Sequence, residues 1–551
     1  MRRALFSLLA ALAVVPVGTA QTIETGYGVV EALPLGARNS VTTLGEANGR
    51  LYVGPQLVVI RPDGDPLFPG RLNAFNPATP QPARAFSIAA EDDGTILVGL
   101  GYNEEAGDDV IPSAGGFALS TDGGESWLGR GAPLDAPTDI EVTYGANTLP
   151  ASPIFTPADA PPYWVDVDPT TGDLYSANAL AGLRVSRDGG VSWSRVVLPP
   201  DTLRAISPDQ TYAFPYTPAG VQLPDAESAS DVSLYGFNFV AYSVLVDEEG
   251  TVWSGSLAGL NRGDASTVDA ASGDRAWVRY SSDVARPGPS ADFIVALRAR
   301  ELADARDEVW MAAWPSGRSI DLAPNADDEQ FGVTVWRGDD PGTGEPIFDT
   351  VLLGERIYDF AFSGDTIYAA GQSGLFVSDD GGRVWRGVRV FRGVDGQPLP
   401  LRPGSSVFSA AVTDDGTLWV GTGDGLISSE NGGDSWTLYR ANVPSNPEVT
   451  DLSDEVPDVE TYAYPNPFSP RADRLIRIRV DVDEPGPLRV RIFDFSMRLV
   501  ADLGEGDRGS GPNEVIWTGT ADDGTRIANG AYIYVVDAGD QQVSGKILVL
   551  D

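Results

Sequence analysis

The chain has 551 residues, 42% hydrophobic and 21% charged, which is the balance of a globular protein and too long for one ordinary domain. With 78 acidic against 38 basic residues its formal charge is −40, and such a surface repels nucleic acid and anionic lipid. Neither cysteine nor histidine occurs, which excludes disulfides, thiol chemistry, a histidine general base and the commonest zinc ligand.

In chain order, residues 1–20 read as a signal peptide. Arg2 and Arg3 precede the apolar run from Leu5 to Val15, and Val17-Gly18-Thr19-Ala20 offers a small-residue cleavage site before Gln21. The run is shorter than the ~20 residues of a membrane span. No later stretch is long and apolar enough, so the expectation is an exported chain with no membrane span and no nucleic-acid partner. The basic residues are nearly all arginine, with Lys546 the single lysine. An acidic, lysine-poor, exported surface suggests a saline habitat, where screening relieves self-repulsion.

From residue 48 onward a short phrase recurs: turn residues, an alternating strand, then often glycine. Its copies centre on Tyr52, Leu97, Tyr175, Trp253, Trp310, Tyr368 and Trp419. Intervals of about 45 to 78 residues are those of blade-sized units with insertions. One unit of three or four strands cannot bury both faces of its sheet, so such units stack in a ring. The expected fold of residues 21–444 is therefore an all-β propeller of about seven blades, with room for an eighth in either of the two longest intervals.

A second phrase follows some copies. It pairs Ser120 and Asp122 with Trp127, Ser186 and Asp188 with Trp193, Ser378 and Asp380 with Trp385, and Ser429 and Asn431 with Trp436. Each has the form S-x-[DN]-G-G-x-x-W. The physical logic is a hairpin turn: Asp or Asn bonds the backbone of its own turn, and the paired glycines accept positive φ. The tryptophan folds back on the hairpin. Four intact copies resemble the Asp-box, or BNR, repeat of sialidase-like and sortilin-like propellers. The Gly-Thr-Leu-Trp-Val-Gly phrase at 416–421 resembles propeller repeats of bacterial sensor proteins. In those families the box is architectural and lies away from the ligand, so the resemblance implies a scaffold role for these twelve residues.

Two long insertions, at 128–162 and 197–237, are better candidates for function, because loops on a rigid scaffold carry binding. The second presents Tyr212, Phe214 and Tyr216 and ends near Tyr235 and Phe237, aromatics suited to stacking on a sugar or gripping a peptide. Asp166, Asp168 and Asp173 could supply calcium oxygens, but their spacing is not that of an EF-hand loop, and Asp-Pro-x-x-Gly is an ordinary turn.

Residues 445–460 are acidic and proline-bearing and read as a linker. Residues 461–551 alternate with period two between glycine-rich turns, the pattern of a small β-sandwich. The segment opens Tyr464-Pro465-Asn466-Pro467-Phe468. It carries Trp517, then Gly530 and Tyr532 in a late strand, and ends Gly545-Lys546-Ile547-Leu548-Val549-Leu550. It resembles the type A C-terminal sorting domain of the type IX secretion system and the Ig-like domain of the flagellar hook-capping protein. The resemblance implies an Ig-like fold, the secretion machinery as partner, and delivery to the outer surface. Trp517-Thr518-Gly519 departs from the family's Trp-Asp-Gly turn.

A sialidase-like hydrolase would need a carboxylate acid/base, a tyrosine nucleophile and an arginine cluster. The family's R-I-P motif is absent, Arg61-Pro62-Asp63 is a poor substitute, and pairs such as Glu104-Glu105 and Asp108-Asp109 are commonplace in so acidic a chain. The sequence therefore points to a non-enzymatic exported propeller without cofactor or metal. It would bind a protein or glycan at the cell surface. A glycoside hydrolase and a structural surface component are the alternatives.

Overall fold

The computed structural model describes residues 30–32, 40–62, 66–67, 83–106, 109–223, 231–282, 286–302, 307–315, 330–394, 396, 398–399, 401, 404–440, 461–464, 466–471, 475–508 and 511–550. The expected signal peptide, the 445–460 linker, Asp108 and Pro465 lie outside them. Among the described residues there is no α-helix, only strands and three short 3-10 turns. The chain divides into two compact units. One comprises Thr42–Gly387 and Ser406–Asp415; the other comprises Val388–Ser405 and Gly416–Asp551 with a segment that holds the short strand Val30–Ala32.

The first unit is built of antiparallel sheets of one plan. Sheet I runs Thr43–Ala47, Arg50–Gly54, Val58–Ile60, Pro66–Leu67. Sheet II runs Arg84–Ala90, Ile96–Ala106, Asp109–Ser120, Leu128–Arg130, and sheet III runs Trp164–Val167, Leu174–Ala177, Leu183–Ser186, Ser194–Arg195. Sheet IV takes Ala241–Val246, Val252–Ser256, Gly259–Gly263 and Trp277–Tyr280, and adds Ala205–Ile206 from the second insertion at its edge. Sheet V runs Phe293–Glu301, Asp307–Trp314, Gly332–Asp339, Pro346–Leu353; sheet VI begins Ile357–Ser363, Thr366–Gly371, Gly374–Ser378. The recurring phrase of the sequence forms the second strand each time. That strand is apolar on both faces because neighbouring sheets cover both; Val252–Ser256 is buried at every residue.

First strands stand side by side. Thr43–Ala47 neighbours Arg84–Ala90, and the series continues through the first strands of sheets III to VI to Val407–Val412, which neighbours Thr43–Ala47 again. This closed circuit makes the unit a β-propeller. Several first strands carry a bulge at their start, at Ala85/Ser87, Ala241/Ser243, Ile294/Ala296 and Ile357/Asp359. A bulge adds one residue and sharpens the twist, and here it turns Phe86, Tyr242, Val295 and Tyr358 out of the regular alternation.

Sheet is tied to sheet by a repeated contact. In three of the four S-x-[DN]-G-G-x-x-W hairpins, hereafter boxes, the carbonyl of the first glycine accepts from an arginine of the preceding sheet. Arg50 Nη1 donates to Gly123 O, Arg130 Nε to Gly189 O, and Arg337 Nη2 to Gly381 O at 3.4 Å. Tyr52 Oη adds a bond to Gly123 O at 3.2 Å. Hydrogen bonds from a charged donor contribute about 1.5–3 kcal/mol, and each of these joins two sheets, beside further polar ties such as Asn48 to Asp92 and Arg298 to Asp359.

In the second unit, Leu418–Thr422, Gly425–Ser429 and Thr437–Arg440 pair in order, and Val30–Ala32 joins Thr437–Arg440 in parallel. The C-terminal module has two sheets. One orders Thr461–Tyr464, Ile476–Val482, Gly511–Trp517; the other orders Leu499–Arg508, Gly486–Asp494, Gly530–Ala538, Gln541–Val549. Both sheets contribute to one core that includes Ile478, Val515, Trp517, Ile492, Tyr534 and Ile547, the arrangement of a β-sandwich. On the opposite face of Ile476–Val482, buried Arg477 pairs through Nη2 with both oxygens of Asp424, in the turn after Leu418–Thr422. Glu514 Oε2 lies 3.8 Å from the Arg477 Nε, and Glu514 Oε1 accepts the Tyr464 hydroxyl. Removing one member of such a buried group strands the others at a cost of about 3–5 kcal/mol.

Two predictions follow from these contacts. Arg130→Ala lowers the stability of the first unit by about 1–2 kcal/mol in denaturant unfolding; no change would mean that the inter-sheet bond is not formed in solution. The second concerns carboxyls near the circuit. Burial, reinforced by neighbouring carboxylates, raises Glu91 to about 8 and Glu46 to about 7, and burial raises Asp166 to about 7. Folded, these groups hold protons more tightly than in the unfolded chain, where carboxyls titrate near about 4. The stability they favour is full below about pH 4 and is lost as pH rises toward about 7–8. Glu91→Gln should therefore shrink the fall in unfolding midpoint between about pH 5 and pH 8, and an unchanged fall would contradict this.

Candidate functional site

The four boxes share one internal geometry. Ser120 Oγ donates to Asp122 Oδ1 (2.8 Å) and accepts the Gly124 amide (2.9 Å), while Asp122 Oδ1 accepts the Ser126 amide (2.9 Å). Ser186 with Asp188, Ser378 with Asp380, and Ser429 with Asn431 repeat the pattern. The bond from Ser126 Oγ, with the Ser126 amide, holds the Asp122 carboxyl down to about 2; Ser192 does the same to Asp188. The side-chain oxygens that carry the motif are therefore occupied in shaping the turn, and the first-glycine carbonyl is left facing the next sheet.

The tryptophans divide. Trp127, Trp385 and Trp436 donate Nε1–H to the second glycine of their own box at 2.9, 3.0 and 3.1 Å. Trp193 does not: its Nε1 is buried without an acceptor, and its ring lies 4.5 Å from that of Phe117 in the preceding sheet.

Trp193 lines a cavity of about 360 Å³ on the flank of sheet III. The cavity has a local cause. The fourth strand here is only Ser194–Arg195, pairing with Arg184 and Val185, so the rest of the third strand is covered by the first insertion instead. That insertion folds as the hairpin Glu141–Tyr144/Asn147–Pro150. Its Asp135 takes both Arg184 Nη atoms (2.7 and 3.1 Å) and Arg195 Nη2 (2.8 Å), with all three side chains at most 6% exposed. Burial alone would raise the Asp135 carboxyl; the two guanidiniums outweigh it and hold it below the usual range.

Asp139, Glu141 and Asp274 complete four carboxylates in the lining, against Arg184, Arg187, Arg195 and Arg275. Arg275 Nη1 is tied to Gly250 O and Gly263 O and Nη2 to Tyr175 Oη; the Gly145 amide donates to Asp274 Oδ2. The wall is thus charge-balanced and braced. Arg187 and Glu141 stand at its exposed rim. Sequence reasoning did not find this group. Its legible signal was Arg184, which occupies a strand position taken by Ala118, Phe376 and Ile427 beside the other boxes.

The aromatics of the second insertion sit otherwise. Tyr216 is buried against Phe239, with its hydroxyl 3.3 Å from Val196 O, and Tyr212 and Phe214 pack on the same core. Phe237 packs on the core beneath the start of the first strands, and Tyr235 alone of the five is broadly exposed, at 62%. A different aromatic series had no sequence reading: Phe86, Tyr163, Tyr242, Phe293, Trp314, Tyr358 and Phe408 stack pairwise from one sheet to the next.

Asp166, Asp168 and Asp173 do not converge. Asp168 Oδ1 accepts the amides of Thr170 and Thr171, Asp166 Oδ2 accepts the Val246 amide, and Asp173 faces Arg187 at 3.6 Å. In the C-terminal module, Asn466 bonds Lys546 O and the Leu548 amide, buried Phe468 bonds Leu548 O, Trp517 Nε1 reaches Thr520 O, and the Tyr532 hydroxyl reaches Ala528 O. Gly530 starts its strand, Pro467 follows Asn466, and Lys546 itself is exposed.

No family model matches the chain, and no curated protein matches it. Similar solved structures include PorZ, an essential bacterial surface component of the type-IX secretion system of Porphyromonas gingivalis, at 15% identity over 93% of this chain and 70% of that one, TM-score 0.34. The GH74 xyloglucanase of Xanthomonas campestris matches at 13% identity over 94% and 75%, TM-score 0.44. YCF48 bound to D1 peptide matches at 13% over 74% and 97%, TM-score 0.38. The propeller assignment rests on the strand circuit itself.

Because Asn431 already performs the carboxylate's task in the fourth box, Asp188→Asn should leave the fold intact. With their pKa depressed, Asp122 and Asp188 contribute stability above about pH 4 that is lost as pH falls toward about 2. Asp122→Asn/Asp188→Asn should flatten that acid limb in a pH titration of the unfolding midpoint; a limb of unchanged slope would contradict it.

Proposed function

We propose that this chain is an exported, non-enzymatic propeller of seven blades that binds a protein or glycan at the cell surface, carried there by an Ig-like C-terminal sorting module. The single observation that carries the binding reading is the braced flank cavity of sheet III. It is concave, built by an insertion, and lined with convergent polar groups whose positions are fixed by buried ion pairs, the makeup of a ligand site. Seven phrase copies on seven second strands, and a circuit of seven first strands, support the blade count.

Against chemistry at this site stands the state of Asp135. A glycosidase needs a carboxylic acid of raised pKa facing a second, ionised carboxylate. Asp135 is held below its usual range between two arginines, and the chain has no histidine to serve as base. The hydrolase reading has one observation in its favour, the raised pair Glu91 and Asp166, which lies away from the cavity wall. No helix among the described residues is long and apolar enough to cross a membrane.

The test is a glycan and peptide array probed with the purified protein in high salt. Saturable retention of an array member without turnover is the expected result. Absence of any retention, or hydrolysis of a member, would overturn the reading.

A further inference from the structure

We infer that the flank cavity of sheet III takes a neutral, hydroxyl-rich carbohydrate, with Trp193 as its aromatic contact; this rests on the binding reading above. Three observations carry it. First, the wall holds carboxylates and guanidiniums in equal number; those of Asp135, Arg184 and Arg195 are spent on one another, and Glu141 and Arg187 present an acceptor and a donor at the exposed rim. A sugar hydroxyl uses both at once. A free anion would meet four carboxylates within a chain of net charge −40, and a free cation would meet four arginines.

Second, the volume of about 360 Å³ is near the lower end for small-ligand sites, which run from about 300 to 1,000 Å³. It suits a short run of sugar rings better than an extended peptide, which is recognised along a strand edge or groove. The cavity is framed by a fourth strand of two residues and by the hairpin strand Glu141–Tyr144, whose Glu141 carbonyl already accepts from Arg195 Nη1.

Third, the four boxes form an internal comparison. Three tryptophans close a bond to their own hairpin; the one on the cavity does not, and its Nε1–H is left buried without an acceptor. A buried donor without a partner is costly to the free protein. The indole that lacks its bond is the one placed where a ligand would lie. A rotation of the indole, whose N–H is buried in the free protein, would bring that donor to a hydroxyl and the ring to a sugar face.

The experiment compares wild type, Trp193→Phe and Trp127→Phe by calorimetric titration with neutral tetrasaccharides of glucose, mannose and xylose, and with a galacturonic acid tetramer. At least one neutral probe should saturate the wild type and bind Trp193→Phe at least ten-fold more weakly. Trp127→Phe should keep wild-type affinity within about two-fold while losing more thermal stability than Trp193→Phe, because only Trp127 gives up a formed hydrogen bond. Preference for the uronate, saturation indifferent to Trp193→Phe, or failure of every probe would each overturn the assignment. Should the array ligand of the preceding section still bind Trp193→Phe as wild type, the surface-binder reading stands and this site falls; should nothing bind in either assay, both fall.

Discussion

The structure depends on one backbone carbonyl per box. Serine and aspartate take up the amides of the turn, the glycines supply the positive φ at Gly123 and Gly124 and at their counterparts, and the first-glycine carbonyl is left pointing away from its own hairpin. In three of the four boxes an arginine from the preceding sheet closes on it. Much of the remaining packing between sheets is apolar and non-directional, with a few further polar ties such as Arg298 to Asp359 and Arg300 to Gly364 O. A charged donor on a fixed acceptor between sheets I and II, II and III, and V and VI gives it an orientation, and with the circuit of first strands lets the short-stranded sheets of the first unit share one frame.

Rigidity in the frame makes a defect in it useful. Among the described strands the fourth strand of sheet III, two residues long, is matched in brevity within the first unit by that of sheet I, and the insertion before it fills the gap incompletely. What remains open is braced by Asp135, Arg184 and Arg195 rather than by a hydrophobic seal. Buried ion pairs contribute little net stability compared with apolar packing of the same volume, but they hold polar groups in place around a vacant space. The box at that point has exchanged its own tryptophan bond for a place in the wall.

Much of the scaffold was legible because it is local. The recurring phrase marks second strands by turn residues followed by apolar alternation, and the box spells out its own hydrogen bonds within eight residues. The inter-sheet arginines were not legible, since Arg50 meets Gly123 across 73 residues and nothing near Arg50 marks it. The five aromatics of the second insertion looked like a binding face because the pattern of aromatic residues is the same whether they face solvent or core. Trp193 could not be told from Trp127 in sequence, as the two boxes are alike; what separates them is Phe117 and the two-residue fourth strand. Arg184 was in plain view as a charge in an apolar strand. The grouping of Leu418–Arg440 with the C-terminal module likewise turns on Asp424 meeting Arg477, a pairing that no local pattern announces.

The central claim is that the box turns, their serines, acidic or amide residues and paired glycines, belong to the frame, while Trp193 is the box side chain that lines the cavity. Native-state amide exchange measures this most directly. The Gly124, Gly190 and Gly382 amides, each bonded to a box serine, should exchange only through the same opening as the first strands, with equal protection. Box amides that exchange orders of magnitude faster than Ala241–Val246, or that gain protection only when ligand is added, would contradict it.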